Sequence, residues 1–276
     1  VGCSTAGEVS MQGVQDGSVV ITAVLLERAK ILVGSTDLAN MADSGAAGER
    51  LAREVAAPDL KAVLVFGQGI NINGSALIEG MTRVLGTTIQ ITGGLAGDNG
   101  AFAQTWTIGK NGASDRAIVA VGLAGEGLQV GHGSFGGWQT FGPARKITRC
   151  EGNVLFELDG EPALEIYKRY LGEYSRDLPG SGLLFPFAML GDDLNVIGLI
   201  RTILGIDENQ GSLTLAGEIL QDGYLKLMHA STDALVDGAE AAANAVVAMT
   251  KLPVPVPALA ILVSCVGRKL VMGDRV

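Results

Sequence analysis

Glycine limits what this chain can build, because 40 of its 276 residues, about 14% and roughly twice the usual share, are glycine. Glycine is costly inside a helix or strand and well suited to turns, so the elements are expected to be short and their backbones closely packed. Between the glycines stand apolar runs. Hydrophobic residues make up 47% of the chain, which excludes disorder and supplies a large core for one sizeable domain or two modest ones.

The charge balance narrows the function classes. There are 20 Lys+Arg against 29 Asp+Glu, a net charge of −9, with two His and no basic cluster. Nucleic acid is therefore not an expected partner, since phosphate contacts need local positive charge. The longest apolar runs, over 117–124 and 257–266, fall far short of the ~18 residues that cross a bilayer, so no membrane span is expected. The chain opens on Val1 without an initiator Met or a basic, then apolar, leader, and no secretion signal is expected. Cys3, Cys150 and Cys265 are odd in number, far apart and never spaced C-x-x-C. They read as reduced thiols in the cytoplasm, without a disulfide frame or a zinc site.

Along the chain, the β-branched run at 17–27 predicts a strand. Ser35-Thr36-Asp37 and Asp43-Ser44 offer N-cap oxygens before a helix over 45–57 with Leu51 and Val55 inward. A strand at 61–66 and a helix over 73–85 follow, with Leu77, Met81 and Val84 inward and Gly86 as its stop. Strands are then expected at 88–92, 103–109, 116–123 and 128–133, with hairpin turns at Lys110-Asn-Gly112 and Ala124-Gly-Glu-Gly127. A composition shift near Pro143 marks a module boundary. Beyond it come strands at 146–149 and 153–158 and a helix with Pro162 at its first turn and Gly172 at its end. Strands at 182–190, 195–201, 211–216 and 224–229 are next, with Asp192-Asp193 as a hairpin turn. An Ala-rich helix over 233–250, a stiff connection at Pro253, Pro255 and Pro257, and a last strand at 258–265 with a segment at 268–272 after Gly267 close the pattern. The fold class is α+β: two modules of mixed or antiparallel sheet with helices on the outer faces. Ala6-Gly7-Glu8, Ala96-Gly97-Asp98 and Ala216-Gly217-Glu218 recur, as an assembly from duplicated β-α-β pieces would produce.

Four motifs occur in one order: Gly2-Cys-Ser-Thr-Ala-Gly-Glu8, Gly93-Gly-Leu-Ala-Gly-Asp98, Asp159-Gly-Glu-Pro-Ala-Leu-Glu-Ile-Tyr167 and Ser264-Cys-Val-Gly-Arg-Lys-Leu-Val271. Together they resemble the FIST (F-box and intracellular signal transduction) family, with residues 1–147 like its N-terminal domain and 148–276 like its C-terminal one. The resemblance implies a bacterial-type cytoplasmic sensory module for small ligands such as amino acids or related small carboxylates. It also implies a signalling partner such as a chemotaxis receptor, a histidine kinase or a cyclic-dinucleotide enzyme. Members of the family carry a strand and helix before the position of Val1 and a closing segment after Arg275, and a pocket that used those segments would be held only in part by this chain.

The chemistry-bearing residues suggest capture of a ligand. Ser4 and Thr5, beside the backbone N–H groups of a Gly-rich turn, could hydrogen-bond a carboxylate or cap local backbone. Glu8, Asp98 and Glu218 could meet an ammonium group or remain solvated turn acids. Gly93 and Gly94 would let a ligand approach the backbone, but no Lys-Ser/Thr follows them, which argues against a nucleotide. His132 and Trp138 flank a Gly-rich loop that could line a pocket mouth, and neither His has companions at metal-ligand spacing. Arg201 and Arg268, each after an apolar segment, could pair with a carboxylate. Cys3 is a further ligand-side candidate. It also supports a second reading, a hydrolase with an N-terminal Cys3 nucleophile freed by cleavage after Gly2, and a third is a non-catalytic interaction scaffold. No nucleophile and base pair, metal cluster or cofactor motif is present, so a binding protein without cofactors is the expectation.

Overall fold

The computed structural model describes residues 1–10, 13–191, 193–250 and 259–275. Along the first module run β1 (Gly2–Cys3), β2 (Glu8–Ser10), β3 (Gly13–Gln15), β4 (Lys30–Asp37), α1 (Ser44–Val55), β5 (Leu60–Gly67), α2 (Gly74–Leu85), β6 (Gln90–Leu95), β7 (Thr107–Gly109), β8 (Gly112–Ser114) and β9 (Ala117–Ala124). The main sheet has the order β4-β9-β5-β6, in which β5 and β6 are parallel and β9 is antiparallel to both its neighbours. The connections β4-α1-β5 and β5-α2-β6 put both helices over this sheet. Leu51 and Val55 of α1 and Leu77 and Met81 of α2 are buried there against Val63 of β5 and Ile118 of β9. Two glycines set how closely the helices meet: a Cβ at Gly48 would overlap the Leu77 carbonyl, and one at Gly80 the Gly45 carbonyl. Thr107 Oγ1 donates 2.8 Å to the Ala117 carbonyl, tying the small β1-β7-β8 sheet to β9.

The second module contains β10 (Gln139–Glu151), β11 (Val154–Leu158), β12 (Glu161–Pro162), α3 (Ala163–Leu171), β13 (Phe187–Leu190), β14 (Val196–Arg201), β15 (Ile203–Asp207), β16 (Ser212–Leu215), β17 (Tyr224–His229), α4 (Thr232–Thr250) and α5 (Val266–Met272). Its sheet runs β14-β13-β17-β10-β11-β16-β15, with β12 beside β11, and every pairing is antiparallel. Leu164, Ile166 and Tyr167 of α3 pack in one cluster with Leu155, Phe187, Met189 and Leu227. Residue 147 lies inside β10, which pairs with β17 through its first half and with β11 through its second.

An α+β protein of two modules, each a sheet with covering helices, is what the sequence predicts, and the structure differs from that reading in four places. Residues 18–26 form no strand, because strand-forming side chains still need a neighbouring strand and β4 takes the place beside β9. The polar Ser35-Thr36-Asp37 that looked like a cap is the end of β4, and Asn40 provides the local cap by accepting from Asp43 N at 3.2 Å. Residues 128–133 and 259–265 are irregular, and 266–272 is a helix whose N-cap is the Cys265 sulfur, which accepts from Gly267 N. The run 180–184 is a short 3₁₀ turn, so the strand expected at 182–190 shrinks to β13, while β15 was not foreseen. Asp192, Ala258 and the three prolines of the expected stiff connection lie outside the described residues.

Candidate functional site

The first two Ala-Gly-acid turns fold against each other. Ser4 N donates to the Trp106 carbonyl at 2.8 Å, Trp106 N donates to Ser4 Oγ at 2.9 Å, and Gly97 N donates to the Ser4 carbonyl at 2.9 Å. A Cβ at Gly97 would stand 2.9 Å from Ala6 N, so glycine is required where the two turns cross. The acids of both turns serve their own backbone and side-chain neighbours. Glu8 accepts from Thr5 Oγ1 at 2.5 Å and Ser18 Oγ at 2.9 Å, which lowers its pKa. Asp98 accepts from Ala103 N at 2.7 Å and Gln104 N at 3.2 Å. Cys3 pairs with Thr107 across β1 and β7, and burial pushes its thiol pKa up, away from the thiolate a nucleophile needs.

Two cations on α5 close this region. Lys269 donates to the Ala6 carbonyl at 2.7 Å and pairs with Asp16. Arg268 donates to the carbonyls of Gly136 at 3.0 Å and Leu235 at 2.7 Å, so its guanidinium braces the irregular 128–138 stretch against α4. Trp138 meets Gly136 and packs on the cluster of Ala188, Leu190 and Met228. His132 is exposed on the same stretch. Gly93 lies against the backbone of Val65 in the sheet, and Gly94 against Val263.

The third Ala-Gly-acid turn meets the start of α2, and there the two modules face each other. Asn73 caps α2 by accepting from Ala76 N at 3.1 Å, and its side-chain amide donates 2.8 Å to Glu218 Oε2. Gly74 N donates 3.2 Å to the Ala216 carbonyl. Arg201, at the end of β14 and 8% exposed, donates from Nε to the Glu218 carbonyl at 2.7 Å and from Nη1 to its neighbour Ile200 at 3.2 Å. Its Nη2 has no hydrogen-bond partner among the described residues. Burial lowers the guanidinium pKa and the Glu218 carboxylate partly offsets this. Gly217 lets this turn approach α2 closely: a Cβ there would overlap Ser75 Oγ and stand 3.3 Å from Arg201 Cζ. A buried cation, a hydroxyl and a helix N-terminus thus converge beside one carboxylate, an arrangement that suits a small molecule carrying both charges.

Of the residues singled out in sequence, the structure brings Ser4, Thr5, Glu8 and Asp98 to one end of the first module, and Trp138 and Arg268 to the 128–138 stretch. Arg201 and Glu218 lie at the seam between modules. Ser75, Asn73 and Gly217 were not foreseen as site residues; the signal that could have found Gly217 is the Ala-Gly-acid recurrence itself. Among the described residues no group of three His, Cys, Asp or Glu could hold a metal ion, and no helix is long and apolar enough to cross a membrane. A crevice beside Phe141, Arg145, Tyr167 and Tyr170 has about 10 Å³, room for roughly one water and not for an amino acid.

Two joined α+β modules with a charged seam between them define the class of protein. Residues 1–161 match the FIST N domain and residues 163–276 the FIST C domain, and the chain belongs to the FIST family. FIST domains are sensory domains of signal transduction. An uncharacterized protein of Methanocaldococcus jannaschii is similar, 30% identical over 159 residues, a match covering 51% of this chain and 29% of that protein. The matched stretch spans less than a third of that relative.

Proposed function

We propose that this chain is a cytoplasmic sensor that binds a small carboxylate, with an amino acid as the preferred form, at the seam between its two modules, and that it does no chemistry on it. The observation that carries this reading is Arg201, 8% exposed, whose Nη2 makes no hydrogen bond to the described residues and whose guanidinium carbon lies beside Gly217, the residue that also abuts Ser75 at the start of α2. A ligand carboxylate would take Arg201 Nη2 and Ser75 Oγ, and an ammonium group would take Glu218 in place of Asn73. Exchange of the Asn73–Glu218 and Gly74–Ala216 hydrogen bonds for ligand contacts links occupancy to the way the modules meet. That shift in population is what a partner such as a chemotaxis receptor, a histidine kinase or a cyclic-dinucleotide enzyme would read.

A thermal-shift screen against amino acids, small dicarboxylates and nucleotides tests this. Ligand at a hundred times its dissociation constant stabilises the folded state by about 2.7 kcal/mol, a shift of several degrees for a protein of this size. Arg201→Gln and Gly217→Ala, the second driving a methyl onto Ser75 Oγ, are expected to abolish the shift, and Ser4→Ala to retain it. Absence of any shift in the unmodified protein, or a shift that survives Arg201→Gln, overturns the proposal.

A further inference from the structure

At the seam, two backbones that are each held fast within their own module meet through very little. On the first side, Asn73 is 7% exposed. Its N donates to Ser44 Oγ of α1 at 3.0 Å, its carbonyl accepts from Leu77 N at 3.0 Å, and its Oδ1 accepts from Ala76 N at 3.1 Å. On the second side, Ala216 N donates to the Thr202 carbonyl at 2.9 Å, Ile219 N to the Gly152 carbonyl at 3.0 Å, and Arg201 Nε to the Glu218 carbonyl at 2.7 Å. Among the described residues, two hydrogen bonds run between these backbones. One is long, from Gly74 N to the Ala216 carbonyl at 3.2 Å, and the other runs from Asn73 Nδ2 to Glu218 Oε2 at 2.8 Å.

Of the groups in this contact, the Glu218 carboxylate is the one that can turn away. Its backbone is pinned, but its side chain is exposed, whereas the Asn73 amide cannot rotate without giving up the cap of α2. The two ends of that amide do different work: Oδ1 caps the helix, and Nδ2 takes a place on the carboxylate that a charged donor would hold more strongly than a neutral one. A buried Nδ2 left without an acceptor is unfavourable, so the carboxylate stays on Asn73 until a better donor draws it off. We infer, on the sensor reading proposed for this seam, that Asn73 is an autoinhibitory latch: in the unliganded protein its amide takes the Glu218 oxygen that a ligand ammonium takes in the bound one. Asn73 therefore sets both the affinity for amino acids and the preference for them over simple acids. A carboxylate without an ammonium can reach Arg201 but leaves the latch closed, so it occupies the seam without changing how the modules meet.

The test uses Asn73→Ser and Asn73→Asp, both of which keep a cap oxygen for α2. The first is too short to hold Glu218, and the second sets a like charge against it. In the ligand-free proteins, hydrogen exchange is expected to rise at 216–219 and at the start of α2 in both variants, with the interior of α2 unchanged. Titration calorimetry then uses the twenty protein amino acids, with propionate as an acid that lacks the ammonium. Amino acids should bind Asn73→Ser roughly 5–10-fold tighter than the parent, because the latch no longer competes, and propionate should bind both alike. Amino-acid binding seen only in Asn73→Ser supports the latch as well. Unchanged exchange at 216–219, or amino acids that bind the parent and bind Asn73→Ser no more tightly, overturns the latch and leaves the sensor reading standing. Amino acids that bind neither protein overturn the sensor reading, and the latch with it.

Discussion

The two modules solve the same packing problem with different materials. In the first, α1 and α2 meet backbone to backbone at Gly48 and Gly80, with Leu51, Leu77 and Met81 filling the space beneath. In the second, α3 lies on an antiparallel sheet through large side chains, Leu164 and Tyr167 against Phe187 and Met189. Close contact through glycine fixes the helix pair, and with it the start of α2 at Asn73 to Ser75. A sheet of short antiparallel strands instead ends in turns, and two of those ends supply Arg201 and Glu218. The seam draws its helix terminus from one style of packing and its charges from the other.

The largest test of this contrast is Gly80→Val. The branched side chain meets the Gly45 carbonyl, which belongs to a helix backbone and cannot swing aside, so a loss of about 4 kcal/mol or more is expected. Hydrogen exchange should show the loss in α1 and α2 before β10 to β17, and equal protection loss in both modules would mean that they do not differ as described. Leu164→Ala should cost about 3 kcal/mol through the cavity left under α3, read as a lower denaturant midpoint with exposure centred on the second sheet. Tyr167→Phe keeps the ring and removes the hydroxyl that donates 2.8 Å to the Phe185 carbonyl, so about 1–2 kcal/mol is expected from the carbonyl left unpaired. The smallest effect concerns Asp43, which accepts from Arg50 and from Ala39 N and has a lowered pKa for that reason. A carboxylate with a lower pKa folded than unfolded stabilises above its ordinary range, and this is lost as pH falls through the folded value. Urea midpoints measured from neutral pH to below about pH 4 should fall by the equivalent of less than ~1 kcal/mol more in the parent than in Asp43→Asn, since the partner is half-exposed.

Much of this was legible in the sequence, and the failures share a cause. The helices at 45–57 and 73–85 declare themselves through apolar spacing and the one over 233–250 through its alanine content, all of which are local. The strand expected at 17–27 fails because a β-branched run specifies a preference for pairing but not a partner, and β9 pairs with β4 instead. The same holds for 259–265. Arg201 stood out as a charged residue after an apolar segment and Glu218 as the acid of a recurring Ala-Gly-acid turn, yet their meeting with Asn73 and Ser75 did not, because Asn73 and Glu218 are 145 positions apart and nothing local reports such a contact. Arg268 stood out too, but its guanidinium is committed to two carbonyls, a distinction that only the three-dimensional arrangement can draw.

Lys269 reaches back 263 positions to the Ala6 carbonyl. On a ribosome adding about 5–20 residues per second, the opening turns of the chain emerge tens of seconds before the lysine that fastens them exists. The first module begins folding first and is finished last. Throughout that interval the uncharged run at 18–26 lacks the anchor that later ties down its approach, which makes the nascent chain, more than the mature one, the form in need of a chaperone.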